Sequence, residues 1–381
     1  MKVPTAAMPD PARINGLDEL RGLAVIAVML SHLPPVLGGT SQLATLLWTP
    51  ALGVGVDLFF VISGFVIFRQ LQAIKARNRL RAIAGFWIRR VARIAPMAWV
   101  VAAITTSGLI VLPPAILAPG DILSAAFFVS NVHWASCFSG GTGCGSPAIT
   151  GHFWSLATEM QFYILAPLLL LLPRNWLRLV VLLVLLVGAS TTRPWGGGLW
   201  VLRIDALMLG VFLASEGIAD RRAEEFLLLP PLSALEAIFW IVVAAILGRL
   251  ASGAGSGAAI VAIALIFAMV VLRAVSPNSS LSHGVTGLML RRVGALSFAL
   301  YLVHLPIFSL VAALTRDSPG FEMKAILGLA LTTFAAWALH QFVGEPCRAI
   351  GRRLAATIER QTRAVEPGAM IGAIKAPAPG A

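Results

Sequence analysis

His32 and Asp57 are ionisable residues in the first two apolar stretches of the chain. His32 follows Arg21 by eleven positions, which on a helix is about 16 Å. Asp57 precedes Arg69 by twelve positions, about 18 Å, so two antiparallel helices would bring the carboxylate and the imidazole to similar depths. A neighbouring carboxylate holds one imidazole tautomer and raises its basicity. The spacing predicts such a pairing of His32 with Asp57, unless Asp57 only caps its helix and His32 bonds a backbone carbonyl.

A later apolar segment carries one polar face. His152, Ser155, Glu159 and Tyr163 recur at spacings of three and four, so they share a side of a helix. Such a face lines a cavity or a neighbouring helix rather than lipid. A packing interface held by polar contacts is the alternative. Glu159 argues against it, because a buried carboxylate is costly.

Two further pairs place polar groups in apolar segments. Arg203 and Asp205 are two positions apart, and Tyr301 and His304 are three apart. Polar groups at such positions are functional candidates by default. A structural salt bridge is the alternative for the first pair. An aromatic side chain at the membrane interface is the alternative for the second.

The strongest basic feature is the segment 89–96, in which Arg89 and Arg90 are followed by Arg93 and a proline. Arg90 and Arg93 are three apart, so on a helix both guanidinium groups point one way and suit bidentate recognition of phosphate. Ordinary cytoplasmic charge, or contact with anionic lipid headgroups, is the alternative. The segment lacks a Walker-type glycine pattern, which argues against nucleotide hydrolysis.

The three cysteines suggest one disulfide. Cys137 and Cys144 lie in a glycine-rich loop that is predicted to face an oxidising compartment, where such a pair forms a disulfide. Cys347 has no partner and is expected to be an inert thiol. The six histidines are scattered without ligand spacing, so no metal site is expected.

The composition identifies the elements that must position these groups. Of 381 residues, 58% are apolar and 12% are charged, with a mean hydropathy of +0.86. Soluble domains have about 25% charged residues, so a single soluble domain is excluded. The long continuous apolar runs also exclude a β-barrel. We predict an all-α, polytopic membrane protein in which the net charge of +12 reflects cytoplasmic loops rather than nucleic-acid binding.

About ten membrane-spanning helices fit the chain. The segment 121–135 is too short and broken to span and is predicted to be re-entrant or surface-lying. Residues 1–16 are predicted to be a cytoplasmic tail, 17–350 the membrane domain and 351–381 a partly disordered cytoplasmic tail. This topology leaves 24 of the 29 lysines and arginines on the cytoplasmic side, with both termini, and predicts the inner membrane. The predicted spans are 18–37, 51–70, 92–112, 153–173, 176–191, 199–215, 226–248, 257–273, 293–314 and 323–343.

Six motifs occur in a fixed order over nearly the whole chain, at 17–32, 55–65, 90–96, 153–163, 203–205 and 297–306. Together they resemble the integral-membrane acyltransferase-3 family of bacterial O-acetylases. One departure is visible, because the family closes its last span with Glu, any residue, then Pro. Here Glu345 directly precedes Pro346, which puts a role for Glu345 in doubt.

The resemblance implies an O-acyltransferase that moves an acyl group, commonly acetyl, from acyl-CoA to a hydroxyl of a glycan or glycosylated small molecule. Acetyl-CoA would be a co-substrate, with no tightly bound cofactor. The residues implied as catalytic are His32 as general base, with Asp57 or Glu159 orienting it. Those implied for acyl-CoA binding are Arg21, Arg89, Arg90 and Arg93. Those implied to line the substrate site are Trp154, Ser155, Tyr163, Arg203, Asp205, Tyr301 and His304.

Two other functions compete with this one. A proton-coupled transporter or flippase would also use intramembrane His, Asp and Glu. The chain shows no internal repeat of the kind that many transporters have. A non-catalytic scaffold would not need buried charge on four helices.

Overall fold

A computed structural model of the chain describes residues 14–38, 50–74, 79–107, 117–194, 197–201, 203–217, 232–250, 256–275, 281, 283–315 and 320–360. These residues form helices and contain no strand. Short 3-10 turns lie at Pro50–Val54 and Gly198–Val201, and a π-helical turn at His340–Gly344. The helices are α1 Asn15–Leu37, α2 Gly55–Gln72, α3 Arg79–Ser107, α4 Pro119–Ala126, α5 Ser130–Phe138, α6 Pro147–Thr150, α7 Phe153–Leu169, α8 Arg174–Ser190, α9 Asp205–Ser215, α10 Ala234–Leu250, α11 Ser256–Ala274, α12 Gly284–Leu314, α13 Phe321–Leu339 and α14 Glu345–Arg360.

Six helical segments in these ranges are long and apolar enough to cross a membrane. Helices α7, α8 and α10 occupy predicted spans but have only 17 residues each, about 25 Å of helix. A hydrocarbon core is about 30 Å thick. The count of ten spans and the orientation of the termini stay predictions. The six segments are Asn15–Leu37, Leu52–Gln72, Gly198–Ser215, Ser256–Ala274, Gly284–Leu314 and Phe321–Glu359.

Several helices extend beyond the predicted bounds. Helix α3 begins at Arg79 rather than 92, and α12 begins at Gly284 rather than 293. Helix α14 continues through the expected domain boundary at 350 to Arg360. Apolar runs mark where a helix is buried in lipid, whereas a helix can continue with an amphipathic pattern after the run has ended. Residues 1–13, 108–112, 226–231 and 361–381, which also carried predictions, lie outside the described residues.

The segment 121–135 folds as two short helices, α4 and α5, of eight and nine residues. At about 12–14 Å each, neither could cross a membrane. The Asn131 and Gln161 side-chain amides exchange hydrogen bonds of 2.8 and 2.9 Å, which attaches this segment to α7.

Helices α1 and α12 pack closely and carry several of the candidate site residues. A Cβ at Gly22 would lie 2.6 Å from the Leu290 carbonyl oxygen, so the contact requires a residue without a side chain. At the end of this interface, Glu19 accepts hydrogen bonds from Arg291 at 2.5 Å and from the Leu281 amide at 2.7 Å. These contacts set the register in which α12 faces α1.

Candidate active site

A cavity lies between α1, α2, α3, α7 and α12 and contains about 720 Å³ of empty space, part of it open to solvent. Three arginines from α1 and α3 stand in its wall beside Tyr163. Ser155 and Tyr301 stand further along α7 and α12. The cavity therefore has a cationic end and a hydroxyl-lined end. Its polar wall consists of Arg21, Ser63, Arg90, Arg93, Ser155, Glu159, Tyr163, Ser297 and Tyr301.

Aromatic rings and one amide hold the Arg90 guanidinium at the cationic end. It lies 5.6 Å from the Phe86 ring centre and 5.4 Å from that of Tyr163, and it donates to Gln70. Arg90 is 7% exposed. None of these contacts supplies a carboxylate, so the charge stays available for an anionic ligand.

Arg21 and Arg93 complete the cationic end. Arg21 forms an ion pair with Asp18 at 3.2 Å. Within the described ranges, no hydrogen bond or ion pair involves the Arg93 guanidinium, which faces the cavity. The spacing of Arg90 and Arg93 thus brings both guanidinium groups to one cavity, as the sequence predicts.

Arg89 is placed differently from the prediction. Its guanidinium donates to Glu359 of α14 at 2.6 Å and is not part of the cavity wall. Consecutive residues of a helix point about 100° apart, so Arg89 and Arg90 cannot both face the same cavity.

Glu159 lies in the cavity wall with its carboxylate held by two hydroxyls. Ser63 donates to it at 2.8 Å, and Tyr163 also donates to it. Glu159 and Tyr163, which share one face of the helix, are thus in direct contact. Ser63, on α2, is a partner that sequence reasoning missed, because a serine in an apolar helix does not stand out by its chemistry; its place inside the motif at 55–65 was the available signal.

Tyr301 closes the hydroxyl-lined end. Its hydroxyl lies 2.6 Å from Ser155 Oγ and donates to the His152 carbonyl oxygen at 2.9 Å. The Tyr301 ring lies 5.4 Å from the His152 ring and 5.6 Å from the His304 ring. Tyr301 therefore touches both the cavity and a group of imidazoles behind it.

Three imidazoles form what we call the histidine cluster: His32, His152 and His304. The centre of the His304 ring lies 5.1 Å from each of the other two. His32 comes from α1, His152 from the turn before α7 and His304 from α12. The sequence placed His152 on the polar face of α7 without assigning it to the site.

A backbone carbonyl sets the tautomer of each ring. His32 Nδ1 lies 2.8 Å from the Val28 oxygen, His304 Nδ1 2.7 Å from the Tyr301 oxygen, and His152 Nε2 3.1 Å from the Leu302 oxygen. Because a carbonyl oxygen only accepts, these nitrogens carry the hydrogens and the other nitrogen of each neutral ring is a proton acceptor. The acceptor nitrogens of His152 and His304 are buried without a partner among the described residues.

Asp57 does not orient His32, which corrects the sequence prediction. Both Asp57 carboxylate oxygens accept from Arg203 Nη2, each at 2.6 Å. The His32 ring is held instead by the carbonyl four residues earlier, which is the alternative that the sequence left open. Glu159 is likewise committed to Ser63 and Tyr163.

Arg203 and Asp205 do not pair with each other and are not part of the cavity wall. Asp205 accepts from Arg193 at 2.9 and 3.3 Å. Arg193, Arg203 and Asp205 are 4%, 1% and 2% exposed. These buried ion pairs attach the segments around Arg193 and Arg203 to α9 and α2, as expected for structural salt bridges. Arg193 was not a candidate from the sequence, because it lies in a predicted loop.

Three other predicted residues have the following positions. Trp154 packs edge-on against Phe60, with ring centres 5.9 Å apart, and is not in the cavity wall. Cys137 and Cys144 are bonded as a disulfide. In the described part of the chain, these two sulfurs and His133 lie close enough together to be potential metal ligands. Both sulfurs are already bonded in the disulfide.

Comparison with known proteins identifies the family. The profile of a family described as an acyltransferase domain matches residues 14–341. The chain belongs to this family. No solved structure matches the chain.

Several curated proteins that are similar to the chain are named as O-acetyltransferases. The chain is 27% identical over 366 residues to peptidoglycan O-acetyltransferase OatA of Listeria monocytogenes, covering 89% of this chain and 56% of that protein. It is 27% identical over 371 residues to putative peptidoglycan O-acetyltransferase YrhL of Bacillus subtilis, covering 89% and 56%. It is 27% identical over 374 residues to O-acetyltransferase OatA of Staphylococcus aureus, covering 90% and 58%. The chain thus spans a little over half the length of these relatives.

Proposed function

We propose that the chain is a membrane O-acyltransferase of the inner membrane that transfers acetyl from acetyl-CoA to a hydroxyl of a glycan. The observation that carries this proposal is one cavity with Tyr301, beside the histidine cluster, at one end and two guanidinium groups at the other. These two groups, of Arg90 and Arg93, form no ion pair with a carboxylate in the described part of the chain. An acyl-CoA has phosphates at one end and a thioester at the other, so its charge distribution matches that of the cavity.

The donor binds with its phosphates at Arg90 and Arg93, on the cytoplasmic side. Arg21 adds positive charge there. The pantetheine arm extends along the apolar wall, which includes Phe59 and Phe60. The thioester then lies near Ser155 and Tyr301.

His32 acts as the general base. Its Nδ1 hydrogen is committed to the Val28 oxygen, so Nε2 accepts the proton of the acceptor hydroxyl. The hydroxyl oxygen attacks the thioester carbonyl, the new C–O bond forms, and the C–S bond breaks. The imidazolium returns the proton to the departing thiolate, so His32 ends the cycle neutral. Because Tyr301 stands between the cavity and the cluster, it must shift for the reactants to meet.

Glu159 contributes by charge and position. Its carboxylate lies in the same wall as the three arginines and offsets part of their mutual repulsion. It also holds the Tyr163 hydroxyl, whose ring supports Arg90. We therefore place Glu159 with the donor site rather than with the base.

The acceptor is proposed to be a glycan because the relatives named above include peptidoglycan O-acetyltransferases. A glycosylated small molecule is the other acceptor that the sequence left open. Membership of an acyltransferase family speaks against the transporter or flippase interpretation.

The test uses the full chain reconstituted in lipid vesicles with radiolabelled acetyl-CoA and peptidoglycan fragments. We expect release of CoA that depends on the acceptor, together with label in an alkali-labile ester on the glycan. The matched control is His32→Ala, which removes the base. CoA release and ester formation equal to those of empty vesicles would refute the proposal.

A further inference from the structure

Helix α14 lies along α3 in antiparallel direction. A Cβ at Gly344, just before α14, would lie 2.9 Å from Met97 Sδ. Two turns later, a Cβ at Gly351 would collide with the Ala92 Cβ. As the α14 residue number rises, the contacted α3 residue number falls, and both contacts need glycine because the backbones approach closely.

This register brings Arg348 opposite Arg93. Arg348 lies between the two glycines in sequence, and Arg93 lies between the two α3 residues that they contact. The ion pair between Arg89 and Glu359, at 2.6 Å, continues the same register at the far end of α14. Arg348 therefore extends the cationic end of the cavity outward from Arg93.

The charges around this position are unbalanced. The Arg348 side chain, 19% exposed, pairs with Glu345 at 2.9 Å, and His340 lies 3.4 Å from the same carboxylate. The Arg93 charge lies close enough to disfavour the charged forms of both Arg348 and His340. Arg348 Nε is buried with no partner among the described residues. The Glu345 carboxylate, itself half-exposed, is thus shared by one guanidinium group and one imidazole, with the Arg93 charge close by. An added anion stabilises such an excess of positive charge.

We infer that Arg348 and Arg93 together hold a phosphate group at the mouth of the cavity. On the basis of the proposed function, this phosphate belongs to the nucleotide of acyl-CoA. Arg348 would then take the role that the sequence had offered to Arg89. A lipid headgroup carries the same phosphate chemistry, so the test must separate the two sources.

The experiment compares the dissociation constants of acetyl-CoA and acetyl-pantetheine for the full chain in nanodiscs of neutral lipid. Arg348→Gln should raise the constant for acetyl-CoA about three- to tenfold, as expected for a partly solvated contact. The constant for acetyl-pantetheine, which lacks phosphate, should not change. The matched control is Arg353→Gln, an exposed arginine of the same helix, which should leave both constants unchanged.

A second variant separates binding from folding. Glu345→Gln removes the carboxylate that competes for Arg348, so acetyl-CoA should bind as tightly as to the wild type or more tightly. If Arg348 only stabilised α14 through its ion pair with Glu345, both Arg348→Gln and Glu345→Gln would lower the unfolding temperature. Both would then weaken the binding of acetyl-CoA and of acetyl-pantetheine to the same extent.

The outcomes distinguish this inference from the proposed function. If wild type binds acetyl-CoA and Arg93→Gln weakens it while Arg348→Gln does not, the inference is wrong and the proposed function stands. An Arg348→Gln effect that appears only in discs with anionic lipid would assign the phosphate to lipid. If wild type fails to bind acetyl-CoA at all, the proposed function itself is wrong.

Discussion

Arg203 Nη2 lies 2.6 Å from both carboxylate oxygens of Asp57. The two side chains are each 1% exposed and join α2 to the segment before α9. Taking both charges out of water is costly, so the pair is stable only while both members are present. Asp57 is therefore a structural partner of Arg203 and is not available to His32.

Asp57→Asn should lower the free energy of unfolding by about 3–5 kcal/mol, because it leaves the Arg203 charge buried and uncompensated. Thermal unfolding of the protein in detergent measures this. Arg178→Gln is the control, since Arg178 forms an exposed ion pair with Glu216 at 2.6 Å and its loss should matter little. A stable but inactive Asp57→Asn protein would instead restore the catalytic role that the sequence suggested.

His32→Ala should abolish acetyl transfer while the protein stays folded and inserted. The variant removes Nε2, the nitrogen that accepts the proton because Nδ1 carries the hydrogen directed at the Val28 carbonyl. His283→Ala, at an exposed histidine, is the matched control and should transfer at the wild-type rate. Rates are measured with purified protein at saturating donor. A rate for His32→Ala close to that of the control would assign the base elsewhere.

Glu159→Gln should be severely impaired, because it keeps the shape of the side chain but removes the negative charge from the arginine-lined wall. Ser63→Ala should be milder, since it removes one hydrogen bond to the carboxylate, worth about 1.5–3 kcal/mol, but leaves the negative charge in place. Glu322→Gln changes an exposed glutamate and serves as the control. Transfer rates and unfolding temperatures are compared for all three. Wild-type activity in Glu159→Gln would return Glu159 to a packing role.

Arg90→Ala and Arg93→Ala should raise the apparent Michaelis constant for acetyl-CoA by about tenfold or more, with a smaller effect on the acceptor constant. A phosphate contact made equally in the ground and transition states contributes to affinity rather than turnover. Arg89→Ala is the internal control, because Arg89 points to Glu359 and should have a smaller effect. Steady-state kinetics across the three variants decides this. Equal effects in all three would point to general surface charge.

Cys137 and Cys144 should resist alkylation without reductant, since they are bonded to each other. Cys347 is a free thiol and should be labelled in both conditions once the protein is denatured. Mass spectrometry of alkylated peptides, with and without reductant, measures all three sites. Labelling of Cys137 and Cys144 in the unreduced protein would show that the disulfide is not formed in the native membrane.

Contacts within one helix were accessible from the sequence. Glu159 and Tyr163 share a face because a helix repeats every 3.6 residues, and the structure shows them hydrogen-bonded. The spacing of Arg90 and Arg93 likewise places both in one wall. The carbonyl bond of His32 reaches only four residues back, and it was among the alternatives that the sequence offered.

Contacts between helices were decided only by the tertiary structure. Asp57 and Arg203 are 146 residues apart, and Arg89 and Glu359 are 270 apart. Local periodicity states which side of a helix is polar, but not which neighbour that side meets. Helix packing brings His152 and His304 into one cluster with His32, and it pairs Asp57 with Arg203. The sequence alone therefore determined the membrane character, the family resemblance and the polar faces, whereas packing determined the charge partners, because these depend on which helices are neighbours.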